Sequence, residues 1–365
     1  MSAERAEKLA SEIAERGLDS LVVGDLVRPG DSGPDAISDI RWLTGFTGSS
    51  GLAIVGGERP VFMTDFRYEE RAEKEVFPNF DRQILSARML AGLASRLNGK
   101  VGFDPAATSV ASLRKLEGEL PESVELVEAE GLLEQLRRVK DASEVEAIAE
   151  ATRIADEALE AVLADGLSGR TEREVAQVLA AAIRERGSEP SFGAIVAAAA
   201  NGAQPHAEPS DRTIEAGELV VIDWGAQVDG YCSDGTRTLA TGEISDEARE
   251  VYELVKRAQQ AALDVIAPGI SGVDADAAAR EPIKDAGHAD HFGHGLGHGV
   301  GLEVHEAPTM SPRSEHQLQA DDVVTVEPGV YIPGKFGVRI EDIVLVTEDG
   351  HRNFSSTPKE LRDVG

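Results

Sequence analysis

The sequence predicts two domains of different build, an α/β domain over residues 1–132 and an α+β domain over residues 133–365. Three observations predict it. Up to about residue 130, short helical and strand signals alternate; a charged stretch from Leu132 to Asp141 interrupts them; beyond it, long helices are interleaved with separated strand pairs instead of the single strands of a βαβ repeat. With 365 residues, 41% of them hydrophobic, the chain is long and apolar enough to bury two cores.

In the first domain, residues 5–16 carry apolar side chains at helical spacing, residues 21–23 read as a strand, and 29–34 form a loop rich in Gly, Asp and Pro. Residues 40–51 lead into a strand at 52–55, which Gly56 and Gly57 turn toward a second strand at 61–63 as a hairpin. Helical patterns at 68–75, 87–97 and 110–116 are separated by strands at 101–103 and 124–127. In the second domain, Ser143 and Glu146 have the spacing of a capping box that opens a long helix with the apolar stripe Val145, Ile148, Ile154, Ala158, Leu159 and Val162. Thr171 and Glu174 form another box, whose helix closes near Gly187. Ser245 caps a third helix that breaks at Pro268-Gly269, and strands are expected at 219–224, 232–240, 323–327 and 338–347. No internal repeat is evident by inspection.

Charge and cysteine content narrow the function. The 66 acidic residues outnumber 36 basic ones for a formal net charge of -30, and only nine of the basic residues are lysines. Such self-repulsion is tolerable where salt screens it, so a high-salt cytoplasm is expected. No basic stripe is present to bind nucleic acid. The N-terminus is charged, lacking the apolar run of a signal peptide, and the longest small-apolar stretch, 193–200, is too short to span a bilayer; a cytoplasmic protein is expected. The single cysteine, Cys232, excludes an intrachain disulfide, reads as a small core residue, and leaves any metal site to oxygen and imidazole ligands.

Those ligands occur where strands should be buried. Asp223 closes an apolar run at 219–224, Asp234 follows in Tyr-Cys-Ser-Asp-Gly-Thr, Glu327 closes Val-Val-Thr-Val-Glu-Pro-Gly, and Glu341 lies within Gly-Val-Arg-Ile-Glu-Asp-Ile-Val. Burying an ionised carboxylate is costly unless something compensates it, so four on core strands point to a metal site. Side chains two apart share a strand face, which groups Arg339, Glu341 and Ile343; if the four acidic strands form one sheet, their carboxylates converge on one surface. Imidazole comes from the run at 292–306, whose alternating glycines argue against a helix and against a zincin pair of His294 and His298. His298 is expected to reach the metals with His305 beside them, and mixed oxygen and imidazole ligation suits Mn, Fe, Co or Zn. His288, His291 and His316 read as loop residues.

Residues from about 140 to 355 resemble the "pita-bread" metallopeptidase family of methionine aminopeptidase, aminopeptidase P and prolidase. The resemblance rests on Asn201-Gly-Ala-Gln-Pro-His206, Val221-Ile-Asp-Trp-Gly225, Ser233-Asp-Gly-Thr-Arg-Thr238, Gly297-His-Gly-Val-Gly301, Val326-Glu-Pro-Gly329 and Arg339-Ile-Glu-Asp342. The first domain is similar to the creatinase/prolidase-type domain at Trp42-Leu-Thr-Gly-Phe-Thr-Gly-Ser49 and Thr64-Asp-Phe-Arg-Tyr68, which favours the proline-selective branch. The resemblance implies two divalent ions, Mn or Co ahead of Zn or Fe. Asp223 would be a terminal ligand of one, Asp234 and Glu341 would bridge both, and His298 with Glu327 would complete the other. It also implies a bridging hydroxide as nucleophile, Glu327 as proton shuttle, His206 and His305 on the carbonyl oxygen, His294 near a proline pocket, and Arg339 orienting a carboxylate. The expected activity is hydrolysis of an N-terminal Xaa-Pro bond in dipeptides or short peptides by a homodimer. The alternatives are an aminopeptidase of other specificity and a non-catalytic peptide-binding member; creatinase-like relatives lack the acidic ligands that are all present here.

Overall fold

In the computed structural model, which describes residues 2–24, 34–85 and 89–365, the chain divides into two compact units, Met1–Arg137 and Arg138–Gly365. In the first unit six strands lie side by side in the order Asp81–Leu85, Val61–Asp65, Leu52–Val55, Ser20–Val23, Gly99–Phe103, Val124–Glu128. The Leu52–Val55 strand pairs antiparallel with both of its neighbours, as the expected hairpin requires on one side, while the outer pairings are parallel. Ser20–Val23 and Leu52–Val55 are buried at every residue, so they read as unbroken apolar runs instead of alternating ones. One face packs Val22, Ile54, Met63 and Val101 against Leu93, Leu97 and Leu116.

Elements not foreseen here include the helix Leu132–Arg138, which fills most of the charged stretch read as an interruption, the helix Pro34–Thr44 and the edge strand Asp81–Leu85. The helix Pro34–Thr44 opens with a proline, which suits a first helical turn. The edge strand Asp81–Leu85 exposes much of its length and has no apolar alternation to announce it. Of the expected loop at 29–34 and helix at 87–97, residues 29–33 and 87–88 lie outside the described residues; a helix runs from Met89 to Ala94.

The second unit consists of two helix pairs, each packed on its own strands. The pair Ala142–Leu163 and Glu172–Glu185 buries Leu159, Leu179 and Ile183 against Val196, Ile222 and Trp224 of the antiparallel sheet Gly235–Ala240, Leu219–Trp224, Ile195–Ala198. The pair Asp246–Leu263 and Gly272–Asp285 buries Val255, Ala279 and Ile283 against Val324, Val338 and Val344. These belong to the five-stranded sheet Glu306–Met310, Gly297–Gly299, Val323–Val326, Asp342–Thr347, Gly350–Asn353 and the hairpin Gly329–Ile332, Phe336–Arg339. The long helix is capped by Asp141, which accepts from the Ser143 and Glu144 amides while Glu144 reaches back to the Asp141 amide at 2.7 Å. The expected Ser143–Glu146 box is therefore displaced by two residues, because Asp141 has the extended backbone that a cap needs. The Thr171–Glu174 box and the Ser245 cap form as expected.

The helix Gly272–Asp285 escaped the sequence reading, and with it a structural repeat. The two helix corners superpose in sequence at an offset of about a hundred residues: Leu163 and Leu263 end the first helices, and Gly169 and Gly269 turn at φ +83° and +90°. The second helices follow, with Thr171 and Ser271 as caps. Each glycine donates its amide to the irregular segment alongside, Gly169 to Ile214 O at 2.9 Å and Gly269 to Leu318 O at 2.7 Å, next to the isolated bridges Thr171–Thr213 and Ser271–Gln317. So few identities are shared that periodicity in the sequence does not reveal it.

Candidate active site

Three of the four acidic residues sit at the ends or breaks of strands. Only Asp223 lies inside one, paired with Ile195 and Thr236 on its two sides. Asp234 occupies the step between Tyr231–Cys232 and Gly235–Ala240, Glu327 follows Val323–Val326, and Glu341 fills the gap between Phe336–Arg339 and Asp342–Thr347. Nor do they share one sheet: Asp223 belongs to the sheet Gly235–Ala240, Leu219–Trp224, Ile195–Ala198, while His298 is on the five-stranded one and Glu327 just past the end of one of its strands. The two meet where the Glu341 amide donates to Thr236 O at 3.0 Å. The expected grouping of Arg339, Glu341 and Ile343 fails at the strand break. Ile343 turns into a core with Val145, Ile148 and Val323, whereas Arg339 and Glu341 line a cavity of about 420 Å³.

That cavity collects Asp223, Asp234, His298, Glu327 and Glu341 together with His206, His294, His305 and Arg339. Asp234, His298 and Glu341 each bring a ligand atom to within 4.8 Å of the others. His298 Nδ1 donates to Gly299 O at 3.1 Å, which turns Nε2 toward Glu327 Oε1 at 3.2 Å and Asp234 Oδ2 at 3.7 Å. The His298 and His305 rings lie 4.3 Å apart, and His206 is near enough to His305 for its charge to be felt there. Outside this group, the His288 and His291 Nδ1 atoms approach to 3.1 Å, and His316 accepts from the Thr309 amide; none of the three lines the cavity.

Arg339, expected to orient a carboxylate, holds the acidic set together with three residues that sequence reasoning missed, Thr236, Thr325 and Tyr331. Arg339 forms an ion pair through Nη2 with Asp223 Oδ2, donates from Nη1 to the Tyr331 hydroxyl at 2.8 Å, and from Nε to Thr236 Oγ1 at 2.9 Å. Thr236 Oγ1 in turn donates to Glu341 Oε2 at 2.6 Å, and Thr325 Oγ1 donates to Glu327 Oε1 at 3.1 Å. Thr236 and Thr325 are both fully buried, and each stands two residues from an acidic one, Asp234 and Glu327. A buried hydroxyl at that spacing was the available signal. Tyr331 also donates to His294 Nε2 at 3.0 Å, because His294 Nδ1 is committed to Gly295 O at 2.8 Å.

The electrostatics set these carboxyls apart from one another. Burial, then the charge of Glu341, pushes Asp234 well above the usual carboxylate range; burial, then Glu327, does the same to Glu341. Burial also opposes ionisation of Glu327, but the hydrogen bond and charge of His298 outweigh it and hold that carboxyl low. His294 and His305 are both lowered by burial, and burial lifts the Tyr331 hydroxyl to about 12. Two buried oxygens, Asp223 Oδ1 and Glu341 Oε1, have no hydrogen-bond partner. Unpartnered carboxylate oxygens facing an imidazole nitrogen across a polar cavity are what a divalent cation would satisfy, so the residues fit metal ions.

Residues 146–348 match metallopeptidase family M24. The chain belongs to that family. Residues 5–139 match the creatinase/prolidase N-terminal domain, so the fold is that domain followed by an M24 pita-bread domain. An Xaa-Pro dipeptidase of Pyrococcus furiosus is 34% identical over 98% of this chain and 99% of its own length. Among solved structures, an Xaa-Pro dipeptidase from Bacillus anthracis has a TM-score of 0.93 at 36% identity, covering both chains completely. An X-Pro aminopeptidase from Thermotoga maritima has a TM-score of 0.89 at 32% identity over 98% of this chain and 99% of that one. Membership of M24 implies divalent metal ions. No described helix is long and apolar enough to cross a membrane.

Proposed function

We propose that the protein is a dinuclear metal-dependent exopeptidase that removes the first residue of dipeptides or short peptides ahead of proline. The observation that carries this reading is the convergence of Asp223, Asp234, His298, Glu327 and Glu341 on one cavity with two unpartnered buried carboxylate oxygens. Full-length similarity to Xaa-Pro dipeptidases supports the substrate class. Those five residues would hold the ions, with Mn or Co the favoured pair. Bound there, divalent ions supply positive charge that acidifies a water and polarises the scissile carbonyl.

The remaining steps belong to the chain. Glu327 takes the proton of the attacking water and delivers it to the departing proline nitrogen. His206 and His305, both exposed on the cavity rim, donate to the carbonyl oxygen as it becomes negative. Arg339 fixes Asp223 through its ion pair and, by way of Tyr331, fixes the His294 ring that lines the proline side. A proline amide is tertiary and has no N–H, so a site that asks for no hydrogen bond from that nitrogen and offers space for a ring selects it.

The deciding experiment loads metal-free protein with Mn or Co in molar KCl and supplies an Xaa-Pro dipeptide beside an Xaa-Pro-Yaa-Zaa tetrapeptide. Cleavage of the dipeptide alone assigns a dipeptidase, and cleavage of the tetrapeptide an aminopeptidase. If metal binds and neither is cut, the proline assignment is wrong.

A further inference from the structure

We infer that Glu172 is a positioning residue that sets the place of His206 by clamping both ends of the loop carrying it. This rests on the role given to His206 above. Glu172 is the first residue of the helix Glu172–Glu185 and is completely buried. Its Oε1 accepts from the Ala198 amide at 2.8 Å. Its Oε2 accepts from Asn201 Nδ2 at 2.8 Å, from the Ser210 amide at 3.0 Å and from Ser210 Oγ at 2.6 Å. Ala198 ends the strand Ile195–Ala198, and Ser210 closes the excursion that follows it, so one carboxylate ties the entrance and the exit of the segment bearing His206.

The repeat within the fold separates this function from corner building. The equivalent position in the second helix pair, the first residue after the cap, is Gly272. That corner closes the same backbone bonds without a carboxylate: the Gly272 amide donates to His316 O at 2.8 Å, as the Glu172 amide does to Arg212 O at 3.1 Å. The helix corner thus needs no acid at this position. What the Glu172 corner has in addition is the loop with Pro205 and His206 on the cavity rim, held from the other side by Arg339 Nη1 donating to Pro205 O at 3.2 Å. With its imidazole exposed, His206 takes its position from its backbone, and the backbone takes its position from these two anchors.

Replacing Glu172 by Gln keeps the shape but turns one acceptor into a donor facing N–H and O–H groups. The test measures E172Q, H206A and the double variant for kcat/KM, with metal content assayed in each, and follows amide hydrogen exchange at residues 198–210. Loss of loop position predicts a roughly ten- to hundredfold fall in kcat/KM for E172Q at unchanged metal content, faster exchange at the Ala198 and Ser210 amides, and less than about a twofold further effect of E172Q when His206 is already Ala. Equal effects of E172Q in both backgrounds, or unchanged exchange, would overturn the inference. If H206A alone leaves kcat/KM intact, the carbonyl-binding role of His206 fails, and the clamp is then judged by exchange alone. Should E172Q not fold, N201A and S210A each remove a donor to the same carboxylate and must show the same dependence on His206.

Discussion

Arg237 offers a sharp test of what holds the acidic set in place. Its side chain is 2% exposed and pairs through Nη2 with Asp342 Oδ1 at 2.8 Å, an aspartate with no exposure at all. Its other donors go to Thr236 O at 2.9 Å, Thr357 O at 2.6 Å and the carbonyl of Glu341. Arg237→Met keeps the stem and removes the charge, leaving Asp342 buried. Breaking a buried pair on one side costs about 3–5 kcal/mol. Asp342 keeps Lys359 at 2.9 Å, Asn353 at 2.8 Å and Gln259 at 3.0 Å, so the lower figure, about 3 kcal/mol, is expected. For a unit of this size that is roughly 6–12 °C in the midpoint of thermal unfolding. Because the same guanidinium holds the backbone at Glu341, affinity for Mn should fall as well, read by calorimetric titration of metal-free protein. A drop below about 2 °C with unchanged Mn affinity would refute the argument that Arg237 fastens the Glu341 segment.

Other consequences follow from the same geometry. Glu327→Gln should remove turnover with the fold intact, and Asp234→Asn should lose bound metal as well; substantial turnover by E327Q would take Glu327 out of proton transfer. Asp65 is held down to about 2, chiefly by its hydrogen bond from Arg67, so its contribution to stability is complete above the unfolded value near 4 and fades as the pH falls toward 2. The urea midpoints of the wild type and Asp65→Asn should therefore differ at pH 6 and converge below about pH 4; a gap that widens on acidification would reverse the sign. With a formal charge of -30, the unfolding midpoint should rise between low salt and molar KCl, and an unchanged midpoint would remove the case for a high-salt setting.

Legibility followed the range of the interactions involved. Helix caps at Thr171 and Ser245 were readable because cap and capped amide are three residues apart. The Asp141 cap was misassigned by two residues because Ser143 and Glu146 satisfy the same pattern and only the backbone at Asp141 decides between them. The helix Gly272–Asp285 was hidden by its small residues and by Pro282 within it.

The sequence by itself singled out the candidate ligands. Each of Asp223, Asp234, His298, Glu327 and Glu341 stands in a local context, apolar strand or glycine run, where an acid or imidazole is costly without a purpose, and that cost is visible one residue at a time. Tertiary structure decided how they meet. Strand breaks at Asp234 and Glu341, two sheets instead of one, the hydroxyls of Thr236 on Glu341 and of Thr325 on Glu327, and a glutamate at 172 holding a loop to Ser210 all depend on groups brought together by packing. Partners more than a hundred residues apart, such as Thr236 and Glu341, leave no periodic trace in the chain, because nothing in their own neighbourhoods requires the other until the two sheets close on the cavity.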